Sequence, residues 1–185
     1  MAELQSNPVL TKWILDPTHS ELSFRVKHLM ISNVKGEFRN FNAEIGGEDF
    51  TNSNITLTVD ASSIFTNNND RDNHLKSADF FDVVNFPELN FESTSFTSVD
   101  GEYILKGMLT IKGVTREVVL DVEFGGKMKD PYGNEKIGFS VSGKINRKEW
   151  GLNWNAMLET GGVMVSDEVR INAEVQFVKT QPELN

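Results

Sequence analysis

The sequence predicts an all-β fold with one short helix, built as an antiparallel barrel of eight strands. Three observations predict it. Apolar residues recur at every second position in run after run, the spacing of a strand with one buried face. Turn signals such as Gly46-Gly47, Asp100-Gly101 and Lys112-Gly113 separate those runs. Only one stretch, residues 69–82, carries the start signals of a helix. Strands that are apolar on one face must hide those faces against each other. Closing into a barrel does so and removes the exposed edges; a two-sheet sandwich is the other solution.

Residues 1–12 read as a flexible N-terminal arm, 13–179 as a single domain and 180–185 as a tail. Trp13 to Asp16 enters the body, and Asp16-Pro17 marks a turn. Leu22, Phe24 and Val26 then alternate with Glu21, Ser23, Arg25 and Lys27. A second strand runs from Asn33 to Ile45; Phe38 and Phe41 lie three apart, so both face inward only with a bulge near Arg39-Asn40. Ile55, Leu57, Val59 and Ala61 form the third run.

The helix follows. Asn67, Asn68, Asn69 and Asp70 can accept hydrogen bonds from the free N–H groups of its first turn, and Leu75, Ala78, Phe80 and Phe81 give it an apolar side. Pro87 forbids its continuation. So short a helix is marginal alone and must sit on the sheet. Strands resume with Leu89 and Phe91, with Tyr103, Leu105, Leu109 and Ile111, with Val118 to Phe124, with Ile137, Phe139, Val141 and Ile145, and with Val169 to Phe177. Between Arg147 and Ser166 the period breaks, and Trp150 and Trp154 there either plug a barrel end or line its mouth.

Composition removes several chemistries. With no cysteine, disulfides, thiolate catalysis and Cys-ligated metals are excluded. Twenty-seven acidic against 18 basic residues, net −9, argue against nucleic acid or an anionic membrane surface as main partner. Thirteen Phe against two Tyr favour a dry interior. No stretch has the length of a membrane helix, and no signal peptide is visible in residues 1–8. The expected location is cytoplasmic, or periplasmic if the chain is a processed form.

No nucleophile elbow, phosphate loop or dinucleotide fingerprint is present. The Asp70-Arg71-Asp72 cluster reads as the charged first turn of a helix. His19, His28 and His74 are the residues from which a metal- or histidine-dependent hydrolase or isomerase would be built, but they lack ligand-pair spacing. No catalytic residue, metal or cofactor is expected.

Trp13-Ile14-Leu15-Asp16-Pro17-Thr18-His19-Ser20 with Phe24 to His28 resembles the opening of the YceI-like family. Arg71 to Asp82 with Phe86-Pro87, Gly107 to Arg116, and Arg147 to Gly151 are similar to its later motifs. The resemblance implies an extended, lipocalin-like barrel that binds, stores or transports a long-chain isoprenoid or related amphiphile, such as a quinone precursor or polyprenyl phosphate. It also implies a homodimer, and residues 150–164, which lack strand periodicity and so need not be wall, are the candidate interface. In such a barrel the strand phases place Leu22, Phe24, Val26, Phe41, Leu57, Val59, Phe91, Leu105, Leu109 and Phe139 on the wall, with Phe80, Trp150 and Trp154 completing the ligand contacts. His28, Arg71 and His74 are then candidates for the polar head group, or else ties between helix, loops and barrel.

Overall fold

The computed structural model describes residues 11–156, 158 and 164–180. Its strands are β1 (Trp13–Leu15), β2 (Glu21–His28), β3 (Ser32–Phe38), β4 (Phe41–Ile45), β5 (Ile55–Asp60), β6 (Ile64–Phe65), β7 (Glu88–Val99), β8 (Glu102–Ile111), β9 (Val114–Lys129), β10 (Glu135–Asn146) and β11 (Val165–Lys179). Every pairing is antiparallel, and a single sheet closes on itself where β1 meets β11. That closure rules out the sandwich.

Eleven segments make eight strands because the first three are each broken once. Along one side of β11, residues 177–179 pair with β1 while residues 165–174 pair with β2. β4 pairs with β1 and β3 with β2; β5 pairs with β4 and β6 with β3. So β1–β2, β3–β4 and β5–β6 act as three kinked strands, and the chain runs up and down around the barrel in sequence order. Two of the breaks share one device. Asp16 caps a 3-10 turn at Pro17–His19 by accepting the Thr18 N–H at 3.0 Å, and Asp60 caps Ala61–Ser63 by accepting the Ser62 N–H at 3.0 Å. A short acid that binds its own backbone two residues on draws the chain out of the ladder. The third break falls at Arg39–Asn40, where the spacing of Phe38 and Phe41 requires it.

The hairpins use left-handed backbone at their tips. Asp100 and Gly101 have φ of 52° and 82°, and Lys112 and Gly113 have 51° and 76°, the signs that match the right-handed twist of the flanking strands. The barrel end formed by β1, the end of β4 and the start of β10 is packed shut. Phe50, on a 3-10 turn over Phe50–Asn52, stacks there with Phe96, Tyr103, Phe124 and Phe139 at centroid distances of 5.0–5.5 Å. Trp13 is fully buried nearby and donates its indole N–H to the Glu48 carbonyl at 3.2 Å. Lys12 and Thr180 extend this ladder, the Thr180 N–H reaching the Lys12 carbonyl at 2.8 Å. The rest of the predicted arm and tail, residues 1–10 and 181–185, lies outside the described residues.

At the opposite end the ladder is incomplete. β6 pairs with β3 but, among the described residues, not with β7. The chain between β6 and β7 carries α1 (Asn69–Lys76), which packs against β6. The helix is shorter than the predicted 69–82. Asn68 caps its start by accepting the Arg71 N–H at 3.0 Å, but Ser77 ends it: its N–H and its hydroxyl both donate to the His74 carbonyl, at 3.1 and 2.6 Å. A hydroxyl that takes a helix carbonyl competes with the next turn. Phe80 and Phe81 therefore leave the helix on a series of turns, with the Phe81 N–H returning to the Leu75 carbonyl at 3.0 Å.

Candidate ligand-binding cavity

The inward phases of the strands enclose a cavity of about 590 Å³, within the range of small-molecule sites. Leu22, Phe24 and Val26 of β2 line it, with Phe41 of β4, Leu57 and Val59 of β5, Phe91 of β7, Leu105 and Leu109 of β8, and Phe139 of β10. β9 adds Val118, Leu120 and Val122, and β11 adds Ile171, Ala173 and Val175. Many of these side chains, including Leu22, Phe24, Leu57, Leu109 and Val141, are only half-buried although they point inward. Their free surface faces the interior, so the barrel is not filled by its own side chains. Width is set partly by glycine. A Cβ on Gly36 would lie 2.2 Å from Phe24 Cζ, and one on Gly107 would lie 2.4 Å from Phe91 Cζ. Both rings occupy the space that a side chain at the glycine would need.

Polarity is concentrated where the ladder is incomplete. His28, Thr66, Asp70, Arg71, His74 and Arg147 all line the cavity there. α1 and the residue after β6 hold two of them, Thr66 and Arg71, in one network with Asp72. Thr66 is buried; its N–H and hydroxyl donate to Asp72 Oδ1 at 2.9 and 2.5 Å, and it accepts from Arg71 Nε at 2.8 Å. Arg71 Nη2 also reaches the Thr66 carbonyl at 2.7 Å. Asp72, 6% exposed, is thereby kept behind Thr66 and does not line the cavity. His74 bonds Asp79 through Nε2 at 2.8 Å, and its ring stands edge-on to Phe80 and Trp154 at 5.2 and 4.7 Å.

Arg147 organises the other side of this mouth. Only 4% exposed, it donates to the carbonyls of Leu152, Trp154, Val165 and Ser166 at 2.5–3.4 Å. Its burial pushes the guanidinium's pKa down, opposed by Asp167 at 3.9 Å. Four backbone carbonyls on one guanidinium clamp an aperiodic segment that has no ladder of its own.

The predicted contacts do not all fall on the cavity. Phe80 and Trp154 line it and stack on each other at 5.3 Å. Trp150 does not: it is 1% exposed, absent from the lining, and bound through its indole N–H to the Leu109 carbonyl at 2.9 Å. It sits at the end of a 3-10 turn over Arg147–Trp150, buried within its own chain. Met157 and residues 159–163 of the predicted interface lie outside the described residues. His28, Arg71 and His74 share the mouth, whereas His19 is exposed at the 3-10 turn after β1 and bonds Asp16 at 2.9 Å. The three imidazoles are thus not gathered at one centre, and among the described residues no three His, Asp or Glu side chains could hold a metal. The strand phases did not single out Thr66 or Arg147. The only signal for Arg147 was its place at the start of the Arg147–Gly151 motif.

A family model described as the YceI-like domain matches residues 13–177. A UPF0312 protein of Staphylococcus aureus is 45% identical over 171 residues, covering 91% of this chain and 98% of the relative. A UPF0312 protein of Staphylococcus epidermidis matches to the same extent. Among solved structures, a Campylobacter jejuni YceI protein aligns with a TM-score of 0.72 at 35% identity, over 84% of this chain and 90% of that one. A polyisoprenoid binding domain from Saccharophagus degradans aligns with a TM-score of 0.67 at 15% identity, over 91% of this chain and 98% of that one, and shows the shared fold. Among the described residues no helix is long and apolar enough to cross a membrane.

Proposed function

This chain belongs to the YceI-like domain family, and we propose that its cavity holds the chain of a long isoprenoid or related amphiphile, as a binding protein and not as an enzyme. The observation that carries this reading is the unfilled apolar interior: inward residues of all eight strands face about 590 Å³ of space. The polar groups at the α1 end give the ligand a direction. The apolar chain runs toward the aromatic cluster around Phe50, and the polar end stays by His28, Arg71 and His74. Burial of the chain favours binding by roughly 0.8 kcal/mol per CH₂, before the cost of ordering it. The polyisoprenoid binding named for the Saccharophagus degradans domain supports the same ligand class. Storage or transport is the role we propose for such a complex.

Native mass spectrometry of the purified protein, followed by organic extraction, tests the reading. A co-purifying isoprenoid, or stoichiometric uptake of one by the extracted protein, is expected. Extracted protein that takes up no isoprenoid chain overturns it. We also propose a homodimer that does not use Trp150. Sedimentation equilibrium at micromolar concentration is expected to exceed the 20.8 kDa monomer mass, and a clean monomer rejects it.

A further inference from the structure

The charges at the mouth point to the chemistry of the head group. The chain carries net −9, yet the fixed charges lining the cavity are Arg71 and Arg147 against Asp70 alone, apart from Lys27 on the outward phase of β2. Cations have been gathered at the entrance of an apolar cavity in an acidic protein. A buried charge is costly unless something compensates it. Arg147 is served by backbone carbonyls and by one half-exposed carboxylate, Asp167, at 3.9 Å. Arg71 makes no ion pair among the described residues. Its Nε and Nη2 are spent on Thr66, which fixes the plane of the guanidinium, and Nη1 has no hydrogen-bond partner among the described residues. A guanidinium locked in orientation with donor capacity left over is prepared for an oxyanion.

On the reading that the cavity holds an isoprenoid chain, we infer that Arg71, with the charge of Arg147 on the other side of the mouth, selects a ligand whose head is an oxyanion, a phosphate or carboxylate, over one whose head is a neutral phenol or alcohol. Thr66 and Asp72 position Arg71, and Asp70, the one acid of the lining, limits how strongly the anion is held.

The test uses delipidated protein and three probes with the same C20 isoprenoid chain: geranylgeranyl phosphate, geranylgeraniol and geranylgeranylamine. The phosphate is expected to bind at least about 10-fold more tightly than the alcohol, and the amine more weakly than either. Arg71→Gln is expected to bring the phosphate and alcohol affinities together, while Arg71→Lys retains part of the preference. Asp70→Asn, a mild change at an exposed helix position, is expected to widen it. Millimolar inorganic phosphate is expected not to displace the alcohol or the phosphate probe. Equal affinities for all three heads, or no response to Asp70→Asn and Arg71→Gln, overturn the head-group inference and leave the cavity reading standing. Displacement by inorganic phosphate assigns the cationic mouth to a free anion and overturns it also. Absence of binding by all three probes overturns the cavity reading, and the inference with it.

Discussion

Phe24 and Gly36 are partners across the β2–β3 ladder, and the ring of one occupies the space a side chain on the other would need. Gly36→Ala is therefore expected to push the Phe24 ring toward the axis. Overpacking of this kind costs about 1–3 kcal/mol, and the same movement narrows the cavity, so isoprenoid uptake is expected to fall along with the denaturation midpoint. Full uptake by Gly36→Ala contradicts the inward placement of Phe24. A second prediction belongs to Asp16. The Thr18 hydroxyl above all, then His19, Lys136 and the Thr18 N–H, hold its carboxyl well below the usual carboxylate range against the opposing effect of burial. A depressed folded pKa adds stability that is present above the unfolded value, about 3.9, and is lost as the pH falls below it. Asp16→Asn is expected to be less stable than the parent at pH 7, the gap closing as the pH drops through 4. A gap that is the same at pH 7 and pH 3, measured by urea denaturation, contradicts it.

The strands and α1 differ in how legible they were. Period-two alternation located the long run of each of the eight barrel strands because one face is apolar, though not the short segments β1 and β6, and the Phe38–Phe41 spacing located a break that interrupts the ladder at Arg39–Asn40. The end of the helix was not legible. Phe80 and Phe81 continued an apolar side, whereas the deciding contact is a serine hydroxyl on a carbonyl three residues back. Trp150 was misread for a related reason. Strand phase says nothing about a residue on a 3-10 turn, and whether an indole meets cavity or wall depends on the carbonyl it finds, here that of Leu109. Phe80 is 7% exposed, packed against both the His74 and the Trp154 rings. Phe80→Ala is expected to cost about 3–5 kcal/mol as a buried truncation. A smaller loss of stability with weaker lipid retention instead makes Phe80 chiefly a ligand contact.

At the scale of the molecule, an unfilled interior makes stability depend on occupancy. A ligand at 100 times its Kd adds about 2.7 kcal/mol, which for a chain of this size corresponds to a rise of roughly 5–10 °C in Tm. Extracted protein is expected to melt lower by that order and to recover on adding the isoprenoid phosphate; identical melting with and without ligand contradicts occupancy of the core. The two ends of the barrel will not yield equally. Around Phe50 every strand is bonded to both neighbours, and strand number then fixes the girth. Beside α1, among the described residues, β6 is not paired with β7. For the isoprenoid ligand proposed above, such a barrel is a gauge at one end and a clasp at the other: strict about the calibre of the chain, tolerant of the bulk left at the entrance.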